Sequence, residues 1–422
     1  MTIIAVANGI VLFSIAYLLW KREDAFLKKV YWPALGFKLL CGIGLGLLYR
    51  YYYTVGDTYG YYNDGVRLAK LAHSDFSLYV EFLWGGSKKY AIWHELGFQR
   101  PRAMFMSKIA SVLCLLTSGN YWIMSLYLSF ISFVASWYLV KQIIRINASL
   151  LLPAVAGFLF LPSAVFWSSG LIKESVAMAA LYSLITIFLK LWLRERTTIY
   201  HGFLVLLTLW ILWNLKYYYL AVLLPILVTA LVMKYLVLPR LKYRQWYILL
   251  PVWGIVFTLP LWMASKVHPN FYPERFMNVI VENYRQFTLV SSPGDFIVYP
   301  SLRPEAESIL SYAPKALFSG LFRPFVWEAH TGFQFLVAME NLMLIVLLIT
   351  SLARLKELFD SGQRLLFFSA TVYSILLCIF LALSTPNYGT LSRYKTGFVS
   401  FVFVLVACNN PLLNRLKRFV QS

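Results

Sequence analysis

Charge is what this 422-residue chain lacks. Only 13% of its residues are Asp, Glu, Lys or Arg, against about 25% in a soluble domain. Acidic side chains are the scarcer sign, 18 against 38 basic ones. None of the histidines (His73, His94, His201, His268, His330) falls in an HExxH or other paired spacing, so no metal centre is indicated. A carboxylate-bound divalent ion stays open, and no other cofactor is called for. Cysteine is limited to Cys41, Cys114, Cys378 and Cys408. All lie in apolar runs without a CxxC pair, which reads them as small buried hydrophobes and excludes a disulfide framework. Glycine-rich nucleotide loops are absent, which argues against an ATP-driven pump. A soluble domain, a low-complexity tract and a close internal repeat are missing too.

What is there is apolar: 60% of residues are hydrophobic and mean hydropathy is +0.67. The chain reads as an all-α, polytopic membrane protein, one integral domain over 1–422. A crossing needs roughly 20 apolar residues. Candidate spans fall near 2–20, 30–50, 119–140, 150–171, 174–193, 199–215, 217–235, 246–264, 333–353, 365–384 and 396–412, about 11 in all by that length criterion. The first lacks a small-residue cleavage site and is expected to be retained. The stretch Ala103–Thr117 is short and carries Lys108, so it is expected to be an amphipathic helix lying at the outer surface. The loops then sort by charge. Lys21, Arg22, Lys28, Lys29, Lys141, Arg145, Arg194, Arg196, Lys234, Arg240, Lys242, Arg244, Arg354, Lys356, Arg364, Arg415, Lys417 and Arg418 share one face, the cytoplasmic one by the positive-inside rule. The N-terminus is then outside and the C-terminus cytoplasmic. The outer face receives long segments at about 51–118 and 265–332 and short turns at 167–175, 215–219 and 384–396.

Polar residues converge on that outer face. In "YYYTVGDTYGYYNDG", Asp57 and Asp64 stand seven positions apart, which on a helix is two turns and one face. A carboxylate at the rim of a dry cavity is a plausible general base; the plainer alternative makes Asp57 a helix cap. Lys173 and Glu174 lie in the turn "WSSGLIKES", where an internal Lys–Glu pair is the plainer reading. Lys216 stands at the expected tip of a hairpin, before Tyr217, Tyr218 and Tyr219. Arg323 follows "LFSGLF", and Arg393 and Lys395 follow "TPNYGTLS". Outer cations work against the positive-inside rule, and several together are suited to a phosphate or diphosphate. Glu340, inside a span, is a functional hypothesis by default.

The order "GDTYGYYNDG", "QRPRAMF", "GNYWIMSLYLSFISFVASWYLVKQIIR", "LPSAVFWSSGLIKES", "LFRPFVWE", "TPNYGTLSRYKTGF" resembles the GT-C superfamily of membrane glycosyltransferases, with the family 39 type in bacteria as the nearest likeness, over about residues 50–400. The resemblance implies a GT-C-like fold in a bacterial cytoplasmic membrane. It implies transfer of a sugar from a polyprenyl-phosphate donor to a glycan or lipid acceptor on the outer face. Asp57 would be the catalytic acidic residue, since it matches the family's first outer loop. Asp64, Tyr59, Tyr61 and Glu174 would contact sugar or acceptor, and Lys173, Lys216, Arg323, Arg393 and Lys395 the donor phosphate. Two departures stand out: the acidic loop follows the second span instead of the first, and the second acidic motif appears only as Lys173-Glu174. They leave a related reading, an oligosaccharide repeat-unit polymerase. The rival of another class is a transporter or flippase for lipid-linked glycans, which calls for midplane charges on broken helices; here those are Lys38 and Glu340. Membrane lipids are expected partners, and nucleic acid is not.

Overall fold

The protein was described as a computed structural model covering residues 2–53, 56–85, 87–241, 245–267, 272–352 and 363–413. His268 and the basic residues Lys242, Arg244, Arg354, Lys356, Arg415, Lys417 and Arg418 of the charge-sorted face lie outside the described residues.

Among the described residues every regular element is helical, apart from an isolated antiparallel bridge between Phe296 and Asn387. The first half contains α1 (Thr2–Lys21), α2 (Ala25–Tyr51), α3 (Asp57–Ser74), α4 (Phe76–Trp84), α5 (Ile92–Glu95), α6 (Pro101–Thr117), α7 (Tyr121–Ile146), α8 (Leu151–Val155), α9 (Pro162–Trp167) and α10 (Lys173–Trp192). Then come α11 (Ile199–Val232), α12 (Trp246–Val267), α13 (Pro273–Leu289), α14 (Ala306–Phe322), α15 (Gly332–Ser351), α16 (Arg364–Ser384), α17 (Tyr388–Tyr394) and α18 (Val399–Ala407).

Among the described residues seven helices are long and apolar enough to cross a membrane: α1, α2, α7, α10, α11 with its π-helical extension to Val237, α15 and α16. Several turn large apolar side chains outward instead of hiding them. Ile3, Ile10 and Phe13 of α1, Leu206 and Trp210 of α11, Ile255 and Leu259 of α12, and Leu336 and Ile349 of α15 are all exposed. Such faces suit lipid, where the helix satisfies its own backbone hydrogen bonds.

Two expected spans and one expected turn take a different form. The stretch 150–171 is broken into α8, a π-helical turn (Ala156–Phe160) and α9. Pro162 restarts the helix after an extended Leu161, since proline disfavours helical dihedrals at the residue before it. In the stretch 396–412, α18 ends where Cys408 turns extended and Asn409 adopts φ 52°, and helical residues resume at Pro411. The expected hairpin at Lys216 is instead a kink inside α11, where Lys216 alone is non-helical (φ −145°, ψ 56°). The combined helix Ile199–Val237 has 39 residues, about 58 Å if straight, far more than a ~30 Å hydrocarbon core.

By contacts the chain divides into two compact units that interleave in sequence. The first holds Met1–Lys141, Phe158–Ile187 and Thr197–Tyr217; the second holds Gln142–Gly157, Phe188–Arg196 and Tyr218–Ser422. In the first unit α3 lies along α6. The buried face of α3 reads Thr58, Tyr61, Asp64, Gly65, Leu68, Ala69 and Ala72, the three-to-four spacing of a helix. Gly65 lets the helices touch: a Cβ there would sit 3.0 Å from the carbonyl carbon and the Cβ of Ala110. The expected helix at Ala103–Thr117 is present as α6, with Ala103, Met104, Met106, Ser107, Ala110 and Ser111 buried and Val112 and Leu116 outward. In the second unit α16 is central, against α13, α14 and α18, while α15 adjoins α14 and α18.

The four cysteines are all buried and free, as expected.

Candidate functional site

The first turn of α3 is held from three sides within the first unit. Gly56 is its cap residue and Asp57 its first helical residue, half-buried, so the side chain of Asp57 is not the N-cap. Thr58 is fully buried, and its hydroxyl lies 2.8 Å from that of Tyr121 at the start of α7. The Tyr59 ring stacks on Tyr121 at 4.5 Å, and its hydroxyl donates to the Gly46 carbonyl of α2 at 3.4 Å. Tyr62 meets Tyr121 edge-on and donates to the Gly119 carbonyl at 2.8 Å. The tyrosines that the sequence placed around Asp57 therefore fix its backbone as well as offering aromatic faces.

Tyr61 is fully buried and packs at 4.7 Å against Phe98. The Lys173 ammonium lies 5.6 Å from the centre of the Tyr61 ring. Residues 57 and 61 are one helical turn apart on one face of α3. Lys173 reaches there because the turn before α10 is tight: Gly170 adopts φ +76° and donates to the Ser129 hydroxyl at 2.8 Å.

Glu174 has a partner from another element. It forms a 2.7 Å ion pair with Lys216, and the two side chains are 0% and 3% exposed. The kink thus brings a cation to the N-terminal turn of α10, where Glu174 also meets the positive end of the helix dipole. Removing one member of such a pair leaves an uncompensated buried charge, costing about 3–5 kcal/mol.

Asp64 is 1% exposed and fully engaged inside the fold. Its carboxylate accepts from Gly97 N at 2.8 Å, Phe98 N at 3.0 Å and the Ser107 hydroxyl at 3.2 Å, with Arg67 at 3.6 Å. It ties the 97–98 segment to α3 and α6 and holds Phe98 against Tyr61. This carboxylate positions; its acceptor capacity is taken up by the protein.

Arg323, Arg393 and Lys395 belong to the second unit. Arg323 follows α14, and its guanidinium grips both oxygens of Glu328, one at 2.9 Å from Nε. It also lies 5.2 Å from the centre of the Tyr388 ring. Burial acts to raise the Glu328 carboxyl, yet the Arg323 hydrogen bonds and the Phe325 N–H hold it below the usual carboxylate value. Lys395 is 3% exposed and donates to the carbonyls of Arg323 at 2.9 Å and Leu321 at 3.3 Å, and to Asn341 Oδ1 at 3.4 Å. It caps the end of α14, and burial pushes its ammonium down to about 8. Asn341 in turn donates to the Pro324 carbonyl at 3.1 Å. Glu340, 8% exposed on α15, is an electrostatic neighbour of Lys395. Arg393 is half-buried in the last turn of α17. That short helix is anchored by Asn387, which accepts from Thr390 N at 3.0 Å and donates to Ser291 at 2.9 Å.

Sequence reasoning thus found the cations but missed their partners. Glu328 stood in view in "RPFVWE", five residues after Arg323. Tyr121 and Asn341 gave no local signal, since their contacts are far away along the chain. No cluster of His, Cys, Asp and Glu suited to a metal occurs among the described residues. Comparison with protein-family profiles, curated proteins and solved structures gives no match to this chain.

Proposed function

We propose that the chain is a membrane glycosyltransferase that moves a sugar from a polyprenyl-phosphate donor to a glycan or lipid acceptor at the outer face of a bacterial cytoplasmic membrane. The observation that carries the reading is the first turn of α3. A half-buried carboxylate, Asp57, is held on a rigid turn with aromatic faces around it and Lys173 over Tyr61, the residue one turn along α3.

In this mechanism Asp57 accepts the proton of an acceptor hydroxyl as that oxygen attacks the sugar's anomeric carbon. The bond from that carbon to the donor phosphate breaks, and the lipid phosphate leaves with the bonding pair. Lys173 stabilises the departing charge by fixed electrostatics. Tyr59 and Tyr61 line the turn, Tyr59 offering a face to sugar. Asp64 and the Glu174–Lys216 pair position this turn and α10. Arg323 and Lys395 are committed to Glu328 and to the end of α14; Arg393, half-buried in the last turn of α17, is proposed for donor phosphate because a guanidinium binds it bidentately.

The proposed fold is GT-C-like with about 11 crossings, in which the arms of α11 on either side of Lys216 count separately. The N-terminus is outside and the C-terminus cytoplasmic. The test is transfer by the purified chain in proteoliposomes, supplied with polyprenyl-phosphate sugars and a lipid or glycan acceptor. Sugar should appear on the acceptor only when the lipid-phosphate donor is present. Movement of intact donor between leaflets without transfer would instead support the transporter reading, which the buried Lys38 and Glu340 favour.

A further inference from the structure

An open cleft of about 740 Å³ lies in the first unit, and its lining includes no residue of α3. Its lining is Lys88, Lys89, Trp93, Pro101, Met104, Phe105, Lys108 and Asn214. Pro101, Met104, Phe105 and Lys108 repeat at three and four residues, so α6 presents one face to it. The opposite wall is the first arm of α11, seamed to α6 by an edge-on contact of Phe105 with Trp210 at 4.9 Å and by Arg102 over Tyr217 at 4.5 Å. Asn214 falls between those two seams on the same helical face.

The walls are aromatic and apolar, but the charge is of one sign. Lys108 is half-buried, donates to the Leu83 carbonyl at 3.0 Å and lies 5.1 Å from the Phe82 ring centre. Burial lowers its pKa, so the ammonium stands there at a cost that a nearby anion removes. Among the described residues no ion pair engages Lys88 or Lys108, while Lys89 meets Glu81 at 2.7 Å on the exposed rim. A cationic floor and rim with an apolar wall matches an amphiphile that carries a phosphate.

We propose that this cleft is a binding site for a phosphate monoester or diphosphate headgroup on an apolar tail, with Lys108 as its central cation and Trp93 and Phe105 against the tail. The site stands independently of the transferase reading. A lipid headgroup and a free phosphate share this chemistry, and the experiment separates them.

The full chain, purified in detergent, is offered phosphatidate and phosphatidylcholine with the same acyl chains, and bound lipid is counted by native mass spectrometry. Wild type should prefer phosphatidate at least tenfold. Lys108→Met should bring that preference close to parity, and Lys108→Arg should keep most of it. The exposed pair K88S/K89S, which lies outside the α-helices, should reduce it several-fold and carries the test if Lys108→Met does not fold. Displacement of phosphatidate by inorganic diphosphate would support recognition of the phosphate itself; its failure, with phosphatidate still preferred, would support a site that also requires the tail. Equal retention of both lipids by wild type would overturn the proposal. So would an unchanged preference in Lys108→Met, or in K88S/K89S where Lys108→Met does not fold.

Discussion

At the scale of single residues, some charges hold the fold and others are proposed here to serve chemistry. Glu328 is of the first kind. Its folded pKa lies below the unfolded carboxylate value, so its contribution to stability is fully present above the unfolded value of about 4.3. That contribution fades as pH falls through the lower folded value. Glu328→Gln should therefore lower the unfolding temperature at pH 7 and flatten its decline below pH 5. Thermal melts in detergent across that range provide the check, and parallel curves for both proteins would remove Glu328 from the account. Arg393 is the second unit's candidate of the other kind. A guanidinium binds phosphate through two parallel hydrogen bonds, which an ammonium does not reproduce. Arg393→Lys should weaken donor use by about tenfold, the loss of one charge-assisted hydrogen bond. Steady-state kinetics against the lipid-phosphate sugar decide it, and an unimpaired lysine variant takes Arg393 out of the site.

At the scale of elements, the kink in α11 and the start of α10 form one device, locked by the Glu174–Lys216 pair. Lys216→Met should cost about 3–5 kcal/mol by leaving Glu174 charged and buried. Adding Glu174→Leu should restore much of it, because two apolar side chains replace a desolvated pair. Unfolding of the single and double variants is the measurement, and additive losses would show the pair is not coupled. This pairing was not legible in the sequence. Lys216 read as a hairpin tip because two short apolar arms flank it, and nothing local announces that Glu174 waits for it in a distant turn. The helices themselves were legible where the apolar run is continuous, as in α1, α2, α7, α10, α15 and α16. They were misjudged at 150–171, where a π-helical turn and the extended Leu161 before Pro162 interrupt the helix, and at 396–412, where Asn409 turns left-handed after α18; of these breaks only Pro162 was visible in the sequence.

At the scale of the whole molecule, the scarcity of charge and the outward apolar faces describe an all-helical protein with helices suited to a membrane. The orientation follows from charge sorting alone and is open to test. All four native cysteines are buried, so introduced ones report with little background. Arg196→Cys should react with an impermeant reagent only after the cytoplasmic side is opened, whereas Ser77→Cys should react in intact cells. Both positions are exposed. The reverse pattern would invert the topology and place Asp57 on the wrong side for a lipid-phosphate-sugar donor. Of the candidate site, the residue types around Asp57 were readable because they crowd into one short stretch. The division of labour was not: Asp64 looked equivalent to Asp57 by spacing, and only the backbone amides of Gly97 and Phe98 and the Ser107 hydroxyl set it apart.

The central claim is that Asp57 is the base of a sugar transfer. General-base contributions are about 10²–10⁴-fold, and Asp57→Asn removes the basic oxygen with little change in volume. The decisive measurement is the transfer rate of Asp57→Asn in proteoliposomes at saturating lipid-phosphate-sugar donor, with its melting temperature recorded alongside. We expect the rate to fall at least a hundredfold while the melting temperature stays near that of wild type. An asparagine variant that folds and transfers sugar within about a factor of two of wild type, against that ~10²-fold expectation, would contradict the account.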